Sequence, residues 1–214
     1  MNNRIYVISS VFAWASLGAA QSIVYDNTTT SSNNNFPLLP EWLNDSAEVG
    51  DEIWLGGTAR EAVELRLIFT NRGVEPNTFD AQLRFRMLDA NLEPGTIFYD
   101  TGIVSGWISN PGFTEHVFSI PHAVVPDRFV WTIQLYNRQG PKNELGPSYF
   151  NPPTVGFSDD FFWRSEAGQQ WTPYSWGGMP VANFGARLTA VPEPSILAAL
   201  SIGTIAFLRR RKRS

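Results

Sequence analysis

An all-β fold, an antiparallel β-sandwich or jelly roll, is the class this sequence predicts, and three observations carry it. Two runs, Ala81–Met87 and Phe129–Tyr136, alternate apolar and polar residues with the period of a strand that buries one side. About nine or ten short apolar runs recur at intervals of roughly ten to fifteen residues. Gly, Pro and Asn clusters separate them, and no strong helical period competes.

The elements follow in chain order. Ser22–Asn27 reads as a first strand through Ile23-Val24-Tyr25, followed by the Thr, Ser and Asn run Thr28–Asn35, which has nothing to bury and reads as a loop. Asn27-Thr28-Thr29 and Asn44-Asp45-Ser46 match glycosylation sequons, and neither is read as modified. Asp51–Leu55 forms the next strand and stops at Gly56-Gly57. Arg60–Leu67 fits a short helix or a strand; the alternation of Glu64 and Arg66 with Leu65, Leu67 and Phe69, up to Asn71-Arg72-Gly73, favours strand. Ala81, Leu83, Phe85 and Met87 share one face, opposite Gln82, Arg84 and Arg86. Asp89–Gly95 is a turn, Thr96–Val104 a strand and Gly106–Gly112 a loop. His116, Phe118 and Ile120 then share a face, and Phe129, Trp131, Ile133 and Leu135 another. Gln139–Pro153 is too rich in proline to pair centrally in a sheet and reads as a long loop. Val155–Trp163 and Gln170–Trp176 form a hairpin around Ser165–Gly168, and Ala182–Ala190 is the last strand.

Both ends carry segments that lie outside this rhythm. At the start, Arg4 precedes an apolar run, Ile5–Ala15, and small residues follow at Gly18, Ala19 and Ala20, the layout of a secretory signal peptide. Cleavage is expected after Ala20 or after Ser22. At the other end, Pro192 and Pro194 hold Val191-Pro192-Glu193-Pro194 extended and exposed. Ser195–Leu208 is uncharged and spans roughly 21 Å as a helix, short against a hydrocarbon core of about 30 Å. Arg209, Arg210, Arg211, Lys212 and Arg213 close the chain, and the positive-inside bias keeps them in the cytoplasm with the preceding domain outside. The expected organisation is therefore a signal peptide over 1–22, a β-sandwich domain over 23–190 and a terminal sorting segment over 191–214.

Setting those ends aside leaves about 170 residues, one domain with room for a core. Six of the sixteen Lys and Arg residues, and Glu193, belong to the ends; ten cations against nineteen acids remain, which argues against nucleic acid as a partner. The absence of cysteine excludes thiol catalysis and cysteine-based metal sites in this chain.

No nucleophile elbow, zinc-protease helix or phosphate loop is present. Only two histidines occur; His116 and His122 fall on one strand face about 20 Å apart, too far to share a metal unless a turn at Pro121 brings them closer, and surface or sheet-edge positions are expected for both. A glycosidase pair such as Glu64 with Asp159 or Glu166 carries no weight among so many acids. No cofactor is expected; Asp159-Asp160 with Asp26-Asn27 or Asp51-Glu52 offers hard oxygens for a structural calcium, without the D-x-D-x-D-G loop. The aromatic group Phe157, Phe161, Phe162, Trp163, Trp171, Tyr174 and Trp176 reads first as core, through alternating Phe161 and Trp163. Trp171, Tyr174 and Trp176, beside Pro173 and Gly177-Gly178, are the residues expected to contact a glycan.

Val191-Pro192-Glu193-Pro194, the short apolar segment and the Arg209–Arg213 cluster together resemble the PEP-CTERM sorting signal of exported Gram-negative proteins. The resemblance implies an exosortase as partner, a membrane-embedded cysteine protease with proposed transpeptidase activity, acting at the Pro192-Glu193-Pro194 strip. It also implies a transient stay in the inner membrane, and delivery to the cell surface or the extracellular matrix, often in biofilm-forming bacteria. More loosely, Gly50–Ile53 with Gly57–Ala59, Pro94-Gly95 and Asp159–Trp163 resemble the single sandwich domains that precede such signals. The function expected is thus a non-enzymatic structural or adhesive role, with a carbohydrate-binding module as alternative and a glycoside hydrolase third.

Overall fold

The structure, a computed structural model, describes residues 20–29, 46–140, 145–166, 168–178 and 181–193. Twelve strands and no helix occur among the described residues, and nothing there is long and apolar enough to cross a membrane as a helix. Both the apolar segment after Pro194 and the signal-peptide run lie outside the described residues.

The strands are β1 (Ser22–Asp26), β2 (Ala47–Trp54), β3 (Glu61–Asn71), β4 (Asn77–Leu88), β5 (Pro94–Asp100), β6 (Val104–Ser109), β7 (Gly112–Val124), β8 (Arg128–Gln139), β9 (Leu145–Pro147), β10 (Phe162–Glu166), β11 (Thr172–Tyr174) and β12 (Ala186–Val191). All pairings are antiparallel. One sheet runs β1-β12-β3-β7 with β9 on β3; the other runs β11-β10-β2-β8-β4-β5 with β6 on β4.

Period two does the sorting. Phe129, Trp131, Ile133 and Leu135 of β8 and Ala81, Leu83 and Phe85 of β4 are buried and meet Leu65, Leu67 and Phe69 of β3, Phe118 and Ile120 of β7 and Leu188 of β12 in one core. Rings lock the two sheets together: Phe69 stacks on Phe79 at 5.7 Å and Trp107 lies 4.8 Å from Phe118. Each such side chain, fully buried, contributes roughly 1.5–3 kcal/mol. Where β2 runs beside β8, Gly50 is obligatory, because a Cβ there would sit 2.0 Å from the Trp131 carbonyl oxygen. Trp163, the register partner of Gly50 on β10, fills the outer face above it.

Several expectations are corrected. Thr96–Val104 is not one strand: Asp100 Oδ1 accepts the Gly102 N–H at 2.7 Å, Gly102 takes φ 64°, and the chain reverses into β6, which pairs with the first half of β4 over residues expected to be loop. The proline-rich stretch contains β9, which extends β3 from Phe69 to Asn71. It pairs on one side only, where a proline costs no ladder bond. In the hairpin, β10 starts only at Phe162; Val155 and Phe157 make single bridges to Asp26 and Trp54. Met87 is 42 % exposed, because the β4–β5 register slips on either side of Arg86 and the core ends there. His116, expected at the surface or a sheet edge, is on the edge strand β7, but its side chain is 3 % exposed and lies in the core edge-on to Phe69, Phe79 and Trp107 at 5.1–5.3 Å. The alternation that puts Phe118 and Ile120 inward does the same to His116.

Asn27 staples the end of β1. Its Nδ2 donates to the carbonyls of Phe150 (3.1 Å) and Phe184 (2.8 Å), and its Oδ1 accepts the Ala186 N–H at 2.7 Å, so the sequon asparagine is fully buried and its amide is engaged.

Candidate functional site

β12 delivers the chain to its sorting segment, and the geometry of that exit is compact. β12 lies between β1 and β3, with Ser22 opposite Ala190 on one side and Val191 opposite Glu61 on the other. Val191 is 7 % exposed, while Pro192 and Glu193 are already outside. Pro192 has no N–H to continue the ladder, so the sheet stops at the residue where the Pro-Glu-Pro strip begins. Ala20, Gln21, Ser22 and Ile23, which bracket both expected signal-cleavage positions, are exposed at the start of β1. The two processing segments therefore leave one end of one sheet, side by side.

A bulge shapes the floor beside them. Between the pairs Ala62–Ala123 and Glu64–Ser119, β7 contributes Ile120, Pro121 and His122 against Val63 alone. His122 absorbs the bend in a left-handed conformation, φ 55°, and its Nδ1 lies 3.0 Å from Glu61 Oε1. The result is a cleft of about 820 Å³ bounded by Gln21, Glu61, Glu64, Pro121, His122 and the strip residues Val191–Glu193. Glu64 accepts the Arg66 Nε–H at 2.5 Å, so of the cleft's acids Glu61 and the strip's own Glu193 are the ones not bound to an arginine. The bulge falls at Pro121, where the sequence offers a turn, whereas nothing in the sequence signals the Glu61–His122 contact. Pro194 and Arg209–Arg213 lie outside the described residues.

The three expected glycan contacts do not converge. Trp171 lies over the Arg86 guanidinium at 5.1 Å, on the outer face of the second sheet. Tyr174, three residues on and on the opposite face, stacks on the core ring Phe162 at 5.6 Å and 23°. Trp176 sits 6.0 Å from Phe162 and is 38 % exposed. The core residue of this segment is Phe162 rather than Phe161, and Trp163 is buried on the outer face against Phe161. Phe157, 53 % exposed, packs edge-on to Trp54, which in turn carries Arg128 over its ring at 4.3 Å.

The acids likewise separate. Glu64 is on β3, Glu166 on β10 is bound to Arg164 at 3.0 Å, and Asp159 lies in the loop before β10, so the named pairs come from different elements and different hydrogen-bond groups. Asp26 takes Arg187 Nε at 2.9 Å and the Thr28 hydroxyl at 2.6 Å; Asp160 accepts the Ala182 N–H at 2.7 Å. Asp51 is buried and accepts the Phe184 N–H at 3.1 Å; burial pushes its carboxyl well above the usual range. Among the described residues, no three His, Asp or Glu side chains are placed to hold a metal ion.

A charged network lies on the outer face of the second sheet. Glu48 binds Arg86 through both oxygens (3.0 and 3.1 Å), Arg84 at 2.9 Å and the Thr132 hydroxyl, and Arg84 also reaches Asp100 at 3.4 Å. It braces β2, β8 and β4 across their register.

Among known protein families, the PEP-CTERM protein-sorting motif matches residues 190–213. Comparison with curated proteins and with solved structures gives no match. The matched segment begins at Ala190, the last residue but one of β12, and covers the strip, the apolar run and the basic cluster. It marks the chain as an exported protein sorted to the cell envelope through an exosortase.

Proposed function

We propose that this protein is a non-catalytic structural or adhesive component of the outer surface or extracellular matrix of a Gram-negative, biofilm-forming bacterium. Residues 1–22 direct export and are removed. Residues 23–190 form a β-sandwich cargo, and 191–214 hold it at the inner membrane, basic tail inward, until an exosortase acts at Pro192-Glu193-Pro194. The observation that carries the reading is the direct junction of the ladder-terminating Val191 with the exposed Pro192-Glu193 strip. The acidic cargo is suited to an outer surface and not to anionic lipid or nucleic acid. Deleting Val191–Ser214 is expected to abolish retention at the envelope and the mass change that accompanies sorting, read by fractionation and mass spectrometry. Unchanged localisation and mass would sink the reading.

A second reading, contact with extracellular polysaccharide, is favoured by the part-exposed Trp176, which packs with Tyr174 on Phe162. Trp176→Ala is expected to lower retention on a polysaccharide array about tenfold, in line with the roughly 1–1.5 kcal/mol typical of an aromatic contact, whereas Trp171→Ala, which removes the ring over Arg86, lowers the melting temperature instead. Equal retention of both variants and wild type removes this reading.

A further inference from the structure

The junction at Val191 leaves no spacer. The last ladder pair is Val191–Glu61, the next residue belongs to the strip, and 21 residues follow Glu193. Fully extended, residues 192–194 reach only about 10 Å. Any protein that grips the strip is therefore in touch with the folded end of the domain. What it meets there is the cleft whose walls are Glu61, Glu64, Pro121 and His122 on one side and Gln21 on the other, open beside Pro192 and Glu193.

We propose that this cleft is a docking surface for the outward-facing part of the sorting enzyme, which reads the folded end of β12 together with the strip. The inference rests on the strip being the processing site and adds a second contact to it. Three points fit a protein partner. The bulged β7 gives the cleft a fixed shape, with His122 in a left-handed conformation and its ring against Glu61. The carboxylates of Glu61 and Glu193, with Glu64 taken up by Arg66, oppose an anionic lipid surface and suit a basic protein face. Val191, buried and paired on its β3 side, keeps the strip at a set offset from the cleft, so both contacts form in one encounter.

The test follows processing of the full-length chain, co-produced with its exosortase, by pulse-chase and mass. Ten Gly and Ser residues inserted between Val191 and Pro192 leave the sheet intact, which an unchanged melting temperature verifies, and are expected to slow processing about tenfold by uncoupling the two contacts. Glu61→Gln with His122→Gly, glycine accepting the same backbone conformation, is expected to slow it severalfold. Wild-type or faster processing of the insertion variant overturns the proposal, as does a slow insertion variant beside a wild-type rate for the cleft variant. Faster processing on reversing the charge of Glu61 and Glu64 in membranes rich in anionic lipid assigns the cleft to the lipid surface and also overturns it. Pro192→Ala with Pro194→Ala isolates the premise: normal processing of that variant removes the strip reading itself, whereas its failure with a normal insertion variant removes only the docking surface.

Discussion

Glu48→Ala is expected to destabilise the domain by about 3–5 kcal/mol, the cost of removing one partner from a buried ion-pair group. The Arg84 and Arg86 side chains are only 12 % and 14 % exposed, and Glu48 is the acid both share. Without it, Arg86 keeps the Gly95 carbonyl at 3.2 Å and the face of Trp171, and Arg84 keeps the Gln82 and Gln134 amide oxygens at 2.5 and 3.3 Å and Asp100 at 3.4 Å; for Arg86 no carboxylate remains, and for Arg84 only the longer Asp100 contact does. The Thr132 hydroxyl, fully buried, loses its acceptor as well. For a domain of this size the change lowers the melting temperature by about 10 °C or more. Glu48→Gln, which keeps one acceptor oxygen, should fall between alanine and wild type; a melting temperature within about 2 °C of wild type for the alanine variant would show that the network is not stabilising.

The second large effect depends on pH. Burial among three aromatic rings lowers the His116 pKa to about 4 from the ordinary 6.5. The unfolded chain then takes up a proton near pH 6.5 while the folded chain does so only near 4, so the unfolded state binds more protons in between and stability falls as pH drops through that window. The loss approaches roughly 3 kcal/mol by pH 4 and grows no further below it. Asp51 works in the opposite sense, since its raised carboxyl pKa makes the folded state the stronger proton binder above the ordinary carboxylate range. The clean readout is therefore the difference between wild type and His116→Phe, in which the Asp51 contribution cancels. That difference should be flat above pH 7 and move in favour of phenylalanine by about 3 kcal/mol between pH 6.5 and 4 in denaturant melts. A difference that stays constant across the window would contradict a neutral, buried His116.

Strands that bury one clean face were legible before any coordinates, because alternation at positions such as Ala81, Leu83 and Phe85 or Phe129, Trp131 and Ile133 is a local property. The same local rule, applied without exempting polar residues, would have placed His116 inside. The reversal at Thr101–Ile103 was signalled by Asp100-Thr101-Gly102, a side-chain-capped turn hidden within an apolar stretch. What stayed out of reach is the pairing of distant strands. Glu48 reads as one of many acids until β2, β8 and β4 lie side by side, and Asn27 reads as a sequon until β12 and the Phe150 segment close over it. At the exit, the Pro-Glu-Pro strip was plain in the sequence, whereas the cleft beside it depends on how three residues of β7 oppose one of β3.

The position of β12 also sets how the domain carries load. A pull on the residues beyond Val191 runs along the axis of a strand hydrogen-bonded to β1 on one edge and to β3 on the other. Against a grip at the far pole, where β3 ends at Asn71 and β7 begins at Gly112, such a force strains both ladders in shear, so their bonds resist together instead of opening one after another as in peeling. The strand that hands the chain to its sorting segment is thereby held against tension by both of its neighbours at once.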